Sequence, residues 1–122
     1  MAKLSPIELH NGLTQFTGTT QYYYLPMMKK YNYTDGVRYL AQNAECYWLL
    51  EFIFSHQLNA KIKKEPFQVW KIEVLTEGGA KIWVEDGNDK VVETFQIPFT
   101  DFPLSTFELW MEGNVLLLPS EH

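Results

Sequence analysis

The residues with the greatest potential for chemistry are a single cysteine, three histidines and a few carboxylates. Cys46 and His56 are the obvious nucleophile and base, because a neighbouring imidazole activates a thiol. On one continuous helix, however, they lie ten residues and therefore about 15 Å apart along the axis, so they cannot meet within one chain. We therefore expect Cys46 to be buried and inert.

The other ionisable residues form no recognisable cluster. A small enzyme of unrecognised type would have to use Asp35, Glu51, His56 or Asp101 as its acid and base, although a helix-surface or turn-capping position is the simpler interpretation of these carboxylates. The histidines fall in separate predicted elements, so we expect no metal site. The chain contains no GxGxxG, phosphate-loop, HExxH, CxxC or GxSxG motif. We expect no cofactor and assign no catalytic residue.

Length and composition favour one domain spanning residues 1–122. A chain of 122 residues, 46% of them hydrophobic, can bury a core large enough to fold alone. The lone cysteine excludes an intrachain disulfide, and the first residues lack the apolar segment of a signal peptide. We therefore expect a cytoplasmic protein without a membrane segment.

Charge is distributed unevenly along the chain. The net charge of −5 argues against direct, sequence-independent nucleic-acid binding, which depends on lysine and arginine. Residues 1–64 carry seven basic and four acidic side chains, whereas residues 65–122 carry three lysines and eleven carboxylates. The acidic character thus belongs to the second half of the chain.

A short helix is predicted near residues 5–12. Ser5 and Glu8 have the spacing of a capping box, and Pro6 stands at the first helical position, where a missing N–H costs nothing. Gly12 has the position of the C-terminal stop. Both ends of this helix are therefore marked in the sequence.

An irregular or extended connection is predicted over residues 13–33, because glycine and proline interrupt a stretch rich in threonine and tyrosine. Its main anchor is a run of three aromatic residues, Tyr22, Tyr23 and Tyr24. Such a run can form a stacking platform for bases or sugars. It can equally form a packed segment whose hydroxyls are hydrogen-bonded.

A long helix is predicted near residues 35–57, where the apolar spacing is helical and proline is absent. On a straight helix Glu51 points in the same direction as Leu40 and Tyr47, in the middle of the apolar face. A carboxylate there needs a hydrogen-bonding or ionic partner, which makes Glu51 a candidate binding residue. The alternative is a break near Asn43, which would turn Glu51 to solvent.

Beyond residue 66 the pattern changes from helical to alternating. Three segments separated by Gly78-Gly79 and Gly87-Asn88 are typical of a meander, and two more around Gly113-Asn114 are typical of a hairpin. The predicted fold class is therefore α+β, with N-terminal helices packed on a C-terminal antiparallel sheet of about five strands.

Alternation along two of these strands places Trp83 and Trp110 on the same face of the sheet. The opposite, core-facing set is Ile82, Val84, Leu109 and Met111. Exposed tryptophans framed by carboxylates are typical of a hot spot for a basic protein partner or of a homodimer seam. Alternatively, the tyrosine-rich segment or the first helix covers this face within the chain. If the face is open, we expect self-association.

Seven short strings carry a resemblance that extends over nearly the whole chain. They are LTQFTGT (13–19), YTDGVRYLA (33–41), YWLL (47–50), SHQ (55–57), FQVWK (67–71), TDFPL (100–104) and LLLPSE (116–121). Together they resemble a family of small uncharacterised bacterial proteins, a domain of unknown function also found in phage and plasmid genomes. The resemblance implies an accessory protein of a mobile element or its host, and it transfers no active-site residue.

Three classes of function follow from these patterns. The first is a non-enzymatic protein-binding or assembly module, with Trp83, Trp110, Glu51, Tyr22 and Tyr23 as candidate binding residues. The second is a small enzyme of unrecognised type. The third is an acidic inhibitor that mimics nucleic-acid charge, although carboxylates along strands also simply solubilise a sheet.

Overall fold

The computed structural model describes residues 3–122, and they form an α+β fold in which helices precede a sheet. The helices are α1 (Pro6–Leu13), α2 (Asp35–Asn43), α3 (Tyr47–Ser55) and α4 (Ala60–Lys63), with 3₁₀ turns at His56–Leu58 and Pro119–Glu121. None of the helices within residues 3–122 combines the length and the apolar character needed to span a bilayer.

The sheet has six strands rather than the predicted five. They are β1 (Asn32–Tyr33), β2 (Phe67–Val74), β3 (Ala80–Glu85), β4 (Val91–Ile97), β5 (Thr106–Glu112) and β6 (Val115–Leu117), in the spatial order β1-β6-β5-β2-β3-β4. The meander and the hairpin are confirmed. The additional strand, β1, pairs in parallel with β6, so the sheet is mixed although mostly antiparallel.

Period-two alternation determines which face of the sheet enters the core. The core-facing side chains include Trp70, Ile72, Ile82, Val84, Leu109 and Met111, each at most 3% exposed. They join the buried residues of α1, α2 and α3 in one cluster. The helices therefore lie on one face of the sheet, which we call the inner face.

Helix α1 begins as predicted. The Glu8 N–H donates to the Ser5 hydroxyl oxygen, and the Ser5 N–H donates to the Glu8 carboxylate at 3.2 Å. The prediction that Gly12 ends the helix is wrong, since α1 continues to Leu13. Gly12 instead lies against the Tyr39 ring, so a side chain at this position would displace that ring.

The predicted long helix is broken between α2 and α3. Glu45 adopts a positive φ of 52°, and the Cys46 N–H donates to the Ala41 carbonyl at 3.0 Å. This pattern is a Schellman C-cap, which normally places glycine where Glu45 stands. The straight helix is therefore wrong, and the alternative of a break near Asn43 is correct.

The break rotates α3 relative to α2. Leu49, Leu50 and Ile53 become the buried side of α3, and Glu51 becomes exposed. The prediction that Glu51 is buried in the apolar face is therefore wrong, because it assumed one helical phase across residues 44–46. With Glu51 in water, a binding role for it has no support from burial.

A buried amide pair links the end of α3 to the sheet. The side chains of Gln57 and Gln68 donate to each other at 2.8 and 2.9 Å, and the Trp70 indole N–H donates to the Gln68 side-chain oxygen at 2.9 Å. Both glutamines are at most 3% exposed. Buried polar groups need partners, so this network fixes the register of the connection after α3 against β2.

Replacing Glu45 with glycine tests the C-cap. We expect Glu45→Gly to raise the free energy of unfolding by about 0.5–1 kcal/mol, because glycine removes the strain of positive φ at an exposed position. Urea denaturation measures the change. Gln42→Gly is the control, since Gln42 is exposed but helical, and it should lower stability by about 1 kcal/mol. Equal destabilisation by both variants would contradict the C-cap.

Candidate functional site

The second face of the sheet, which we call the outer face, is left open by the helices. It consists of Phe67, Val69, Lys71 and Glu73 of β2, Lys81, Trp83 and Glu85 of β3, and Thr106, Glu108, Trp110 and Glu112 of β5. The predicted placement of Trp83 and Trp110 on one face, opposite the core set, is confirmed by strand register and burial.

Helix α1 and the tyrosine-rich segment are the two elements that could cover the outer face within the chain. Helix α1 contacts α2 and buries Leu9 in the core on the inner side. The tyrosine-rich segment lies at the far edge of the sheet, where Tyr23 forms a bridge with Tyr33, next to β1. Neither element is therefore positioned to shield the tryptophans.

The two tryptophans lie diagonally across the central strand β2. Lys71 is directly paired with Trp83 on one side and Glu108 on the other. In the next outward-facing row, Val69 is paired with Glu85 and Trp110. Each indole therefore has a carboxylate both on its own strand and across β2.

Each indole is fixed by a carboxylate two residues away on its own strand, where side chains share a face. The Trp83 N–H donates to Glu85 at 2.7 Å, and the Trp110 N–H donates to Glu108 at 2.6 Å. The polar end of each ring is thereby satisfied, and both indoles are half-buried. These hydrogen bonds therefore preorient both indoles on the outer face.

The outer face combines carboxylates with fewer cations. Lys71 pairs with Glu85 at 3.2 Å, and the Lys81 ammonium lies 5.0 Å from the Trp83 ring centroid. Among residues 3–122, no cation lies within 4 Å of the Glu108 carboxylate. An open depression of about 330 Å³ lies beside Glu108, between Lys71 and Trp83. Its chemistry suits a cationic side chain that stacks on an indole.

His122 packs against one end of the outer face. His122 lies 3.2 Å from the Glu112 carboxylate and packs edge-on against Trp110, with ring centroids 5.3 Å apart. The centroid of the Phe67 ring lies 5.2 Å from that of the same indole. No motif predicted this cluster, since it depends on strand pairing and on the path of the chain end.

The C-terminal segment is held at the N-terminus of α2 by Glu121. Its carboxylate accepts hydrogen bonds from the Thr34 hydroxyl at 2.5 Å, the Gly36 N–H at 3.0 Å and the Leu118 N–H at 3.0 Å. The first turn of a helix has unpaired N–H groups and favours negative charge. The strings YTDGVRYLA and LLLPSE therefore meet at this cap.

The tyrosine run divides between solvent and a polar network. Tyr22 and Tyr24 are 60% and 53% exposed, whereas Tyr23 donates its hydroxyl to Asp35 at 2.9 Å. The Arg38 guanidinium lies 4.6 Å from the Tyr23 ring centroid. Of the candidate binding residues, Tyr22 and Tyr23 thus lie together, at the sheet edge that is farthest from β4 and separate from the tryptophans.

The remaining candidates for catalysis have separate partners. Cys46 is buried, its Sγ lies 3.7 Å from the Leu40 carbonyl, and burial raises the pKa of its thiol to about 12. His56 lies between the Phe52 and Phe95 rings, with both centroids at 4.4 Å. Asp101 forms an ion pair with Lys3 at 2.6 Å. These contacts bring no two of the candidates together.

The chain belongs to DUF6876, a family of unknown function, whose model matches residues 7–122. No curated protein and no solved structure matches the chain. Family membership confirms the resemblance to a domain of unknown function, and it assigns no activity or binding residue.

Removing the Glu121 carboxylate tests the cap. We expect Glu121→Ala to lower the free energy of unfolding by about 1–3 kcal/mol, because the Thr34, Gly36 and Leu118 donors lose their acceptor. Ser120→Ala, at an exposed neighbouring position, should change it by less than about 0.5 kcal/mol. Urea denaturation at neutral pH measures both. Equal stability of the two variants would show that the cap contributes nothing.

Titration of Asp35 predicts a specific pH dependence. Hydrogen bonds from the Thr20 N–H and the Tyr23 hydroxyl lower the pKa of Asp35 from 3.8 to about 2. The stability they confer is therefore complete above about pH 4 and is lost as the pH falls towards 2. As the pH falls from about 4 to about 2, the melting temperature in thermal unfolding scans should fall less for Asp35→Asn than for the parent.

The difference between the parent and Asp35→Asn gives the contribution of Asp35 to the pH dependence of stability. Glu8, Asp86 and Asp101 also have lowered pKa values, but they titrate in the parent and in Asp35→Asn alike. Parallel curves for the two proteins between pH 4 and 2 would show that the hydrogen bonds to Asp35 do not stabilise its charged form.

Proposed function

We propose that this member of DUF6876 is a non-enzymatic protein-binding module whose outer face binds a partner that presents basic side chains. The observation that carries the proposal is the pair of indoles, Trp83 and Trp110, each fixed by a carboxylate on the sheet face opposite the helices. An accessory role in a mobile element or its host, which the resemblance implies, is part of this proposal.

Preoriented tryptophans favour binding because little side-chain freedom is lost on association. Tryptophan is among the residues that contribute most to protein interfaces. Here the N–H of each ring is already engaged, and both indoles retain partial exposure beside Lys81, Phe67 and His122. An arginine guanidinium stacks on such a face while donating to a neighbouring carboxylate, and Glu108 has no cation within 4 Å among residues 3–122.

Charge favours a basic partner over a second copy of this chain. The outer face carries four carboxylates, Glu73, Glu85, Glu108 and Glu112, against the two cations Lys71 and Lys81. Two outer faces brought together would oppose net negative charge, which disfavours association unless each carboxylate meets a cation. A basic partner gains from the same charge.

The other classes have weaker support. A nucleic-acid mimic needs a continuous stripe of uncompensated carboxylates, but Lys71 stands between Trp83 and Glu108, and it neutralises Glu85. A small enzyme needs convergent acid and base groups, whereas Asp35, His56 and Asp101 are each engaged with different partners.

Removal of both indoles tests the proposal. A partner captured from source cells on the parent protein would be purified and titrated by calorimetry against the parent and against Trp83→Ser/Trp110→Ser. We expect the double variant to bind at least about tenfold more weakly, because interface tryptophans are typical hot spots. Raising the salt concentration from about 0.05 to about 0.5 M should also weaken binding to the parent.

The matched control is Tyr22→Ser/Tyr24→Ser, which removes two exposed aromatic residues outside the outer face. It should bind the partner as the parent does. Unchanged affinity of the tryptophan variant would refute the proposal. Sedimentation of the parent alone tests the alternative of self-association. A dimer that dissociates in the tryptophan variant would make a second copy, rather than a basic protein, the partner.

A further inference from the structure

Strand β5 is flanked by another strand along only part of one side. β2 pairs with β5 along its whole length, from Thr106 to Glu112. On the other side, β6 pairs only with Trp110 to Glu112. From Thr106 to Leu109, no strand within residues 3–122 lies on that side of β5. An interior strand of the sheet therefore has an open edge over half its length.

Alternation of the backbone shows which groups point to this open edge. The Val74 N–H donates to the Ser105 carbonyl, and the Gly113 N–H donates to the Pro66 carbonyl. In an antiparallel ladder the groups of alternate residues point to opposite sides, so the odd-numbered residues of β5 bond to β2. The N–H and C=O groups of Thr106 and Glu108 therefore point outward, to the edge that β6 does not reach.

An apolar groove of about 290 Å³ runs beside this edge, and we call it the edge groove. Phe107 of β5, Leu13 of α1 and Leu118 after β6 supply its apolar lining. The remaining lining residues are His10 and Thr14 of α1, Glu108 of β5, and Pro119 and Ser120. The groove thus adjoins β5 where outward-pointing backbone groups need a partner.

The chain's own C-terminal segment does not fill the position. Continuing the register of β6 would pair Leu118 with Leu109 and Pro119 with Glu108. Proline has no N–H to donate, and Glu121 holds the segment at the N-terminus of α2 instead. Pro119 and Ser120 line the edge groove, but among residues 3–122 no backbone hydrogen bond joins them to Thr106 or Glu108.

We propose that an extended segment of the protein partner adds to the open edge of β5 as an antiparallel strand, in line with β6. The inference rests on the proposed function, because the same partner is taken to reach the outer face. Four backbone groups, the N–H and C=O of Thr106 and Glu108, supply the hydrogen bonds of this strand addition.

Register predicts the chemistry of the added strand. The partner residue opposite Glu108 lies on the outer face, where a lysine or arginine neutralises that carboxylate. The residues before and after it point to the inner side, next to Phe107 and Leu109, and enter the edge groove. The partner segment is therefore apolar, basic, apolar in sequence.

The second open edge of the sheet, along β4, is less suited to binding such a segment. Thr94 and Gln96 are exposed there, and Lys61 lies 4.0 Å from Glu93, so a cation is already present. The edge of β5 is therefore better suited to a basic segment than the edge of β4. Amide chemical-shift changes distinguish binding at one edge from binding at the other.

Selection of peptides tests the proposal on the full chain. Random heptapeptides displayed on phage would be selected against the immobilised protein, and the enriched peptide would be synthesised. We expect an apolar–(Lys or Arg)–apolar core that binds with amide chemical-shift changes at Thr106 and Glu108. Methylating the amide nitrogen of the basic residue should weaken binding at least about tenfold, whereas methylating the next amide, which points away, should not.

Two exposed positions of α1 give matched variants of the protein. His10→Trp places a bulky ring in the edge groove and should weaken peptide binding by at least about tenfold, whereas Asn11→Trp, outside the groove, should not. Strand addition would be overturned by selected peptides that lack the apolar–basic–apolar pattern. Equal weakening of peptide binding by both methylations would also overturn it.

Two further results separate this proposal from the proposed function. Chemical-shift changes along β4, or peptide binding that Trp83→Ser abolishes and His10→Trp leaves intact, would overturn strand addition while leaving the outer face as a binding surface. Conversely, a partner could bind the tryptophan variant as tightly as the parent but lose affinity for His10→Trp. That result would support strand addition and refute the outer face as the binding surface.

Discussion

The arrangement depends most on one carboxylate, that of Glu121, at the N-terminus of α2. It accepts hydrogen bonds from a hydroxyl and a backbone N–H of the segment that begins α2, and from the backbone of its own 3₁₀ turn. This contact joins residues 85 to 87 positions apart in the sequence. It directs the chain away from the sheet after β6, and it thereby leaves half of β5 without a neighbour.

A second constraint decides how the helices cover the sheet. The Schellman turn at Glu45 ends α2 and lets α3 begin in a different direction. As a result α3 buries Leu50 and Phe54, and the amide pair of Gln57 and Gln68 joins the following turn to β2. The inner face is thereby filled, whereas the helices leave the outer face and the edges of the sheet uncovered.

The outer face and the open edge meet at Glu108. Its side chain accepts the Trp110 indole N–H on the outer face, while its backbone groups point to the position that β6 does not fill. A partner at this residue can therefore use side-chain charge, aromatic stacking and backbone pairing together. These interactions differ in kind: charge favours fast encounter, while burial of aromatic surface and backbone pairing slow dissociation.

The sequence by itself determined the elements that local rules specify. The capping box of Ser5 and Glu8 predicted the start of α1, and glycine-containing turns predicted the meander and the hairpin. Period-two alternation predicted that Trp83 and Trp110 share a face opposite Leu109 and Met111, because a strand's alternation is independent of its neighbours.

Tertiary structure alone decided the features that link distant segments. Glu45 has no intrinsic preference for positive φ, so the break that exposes Glu51 comes from packing on both sides of it. The order of strands, which inserts β5 beside β2, likewise comes from pairing between segments that are distant in the sequence. Local patterns extend over a few residues, whereas the open edge of β5 results from the contact between Glu121 and the N-terminus of α2, which are far apart in the sequence.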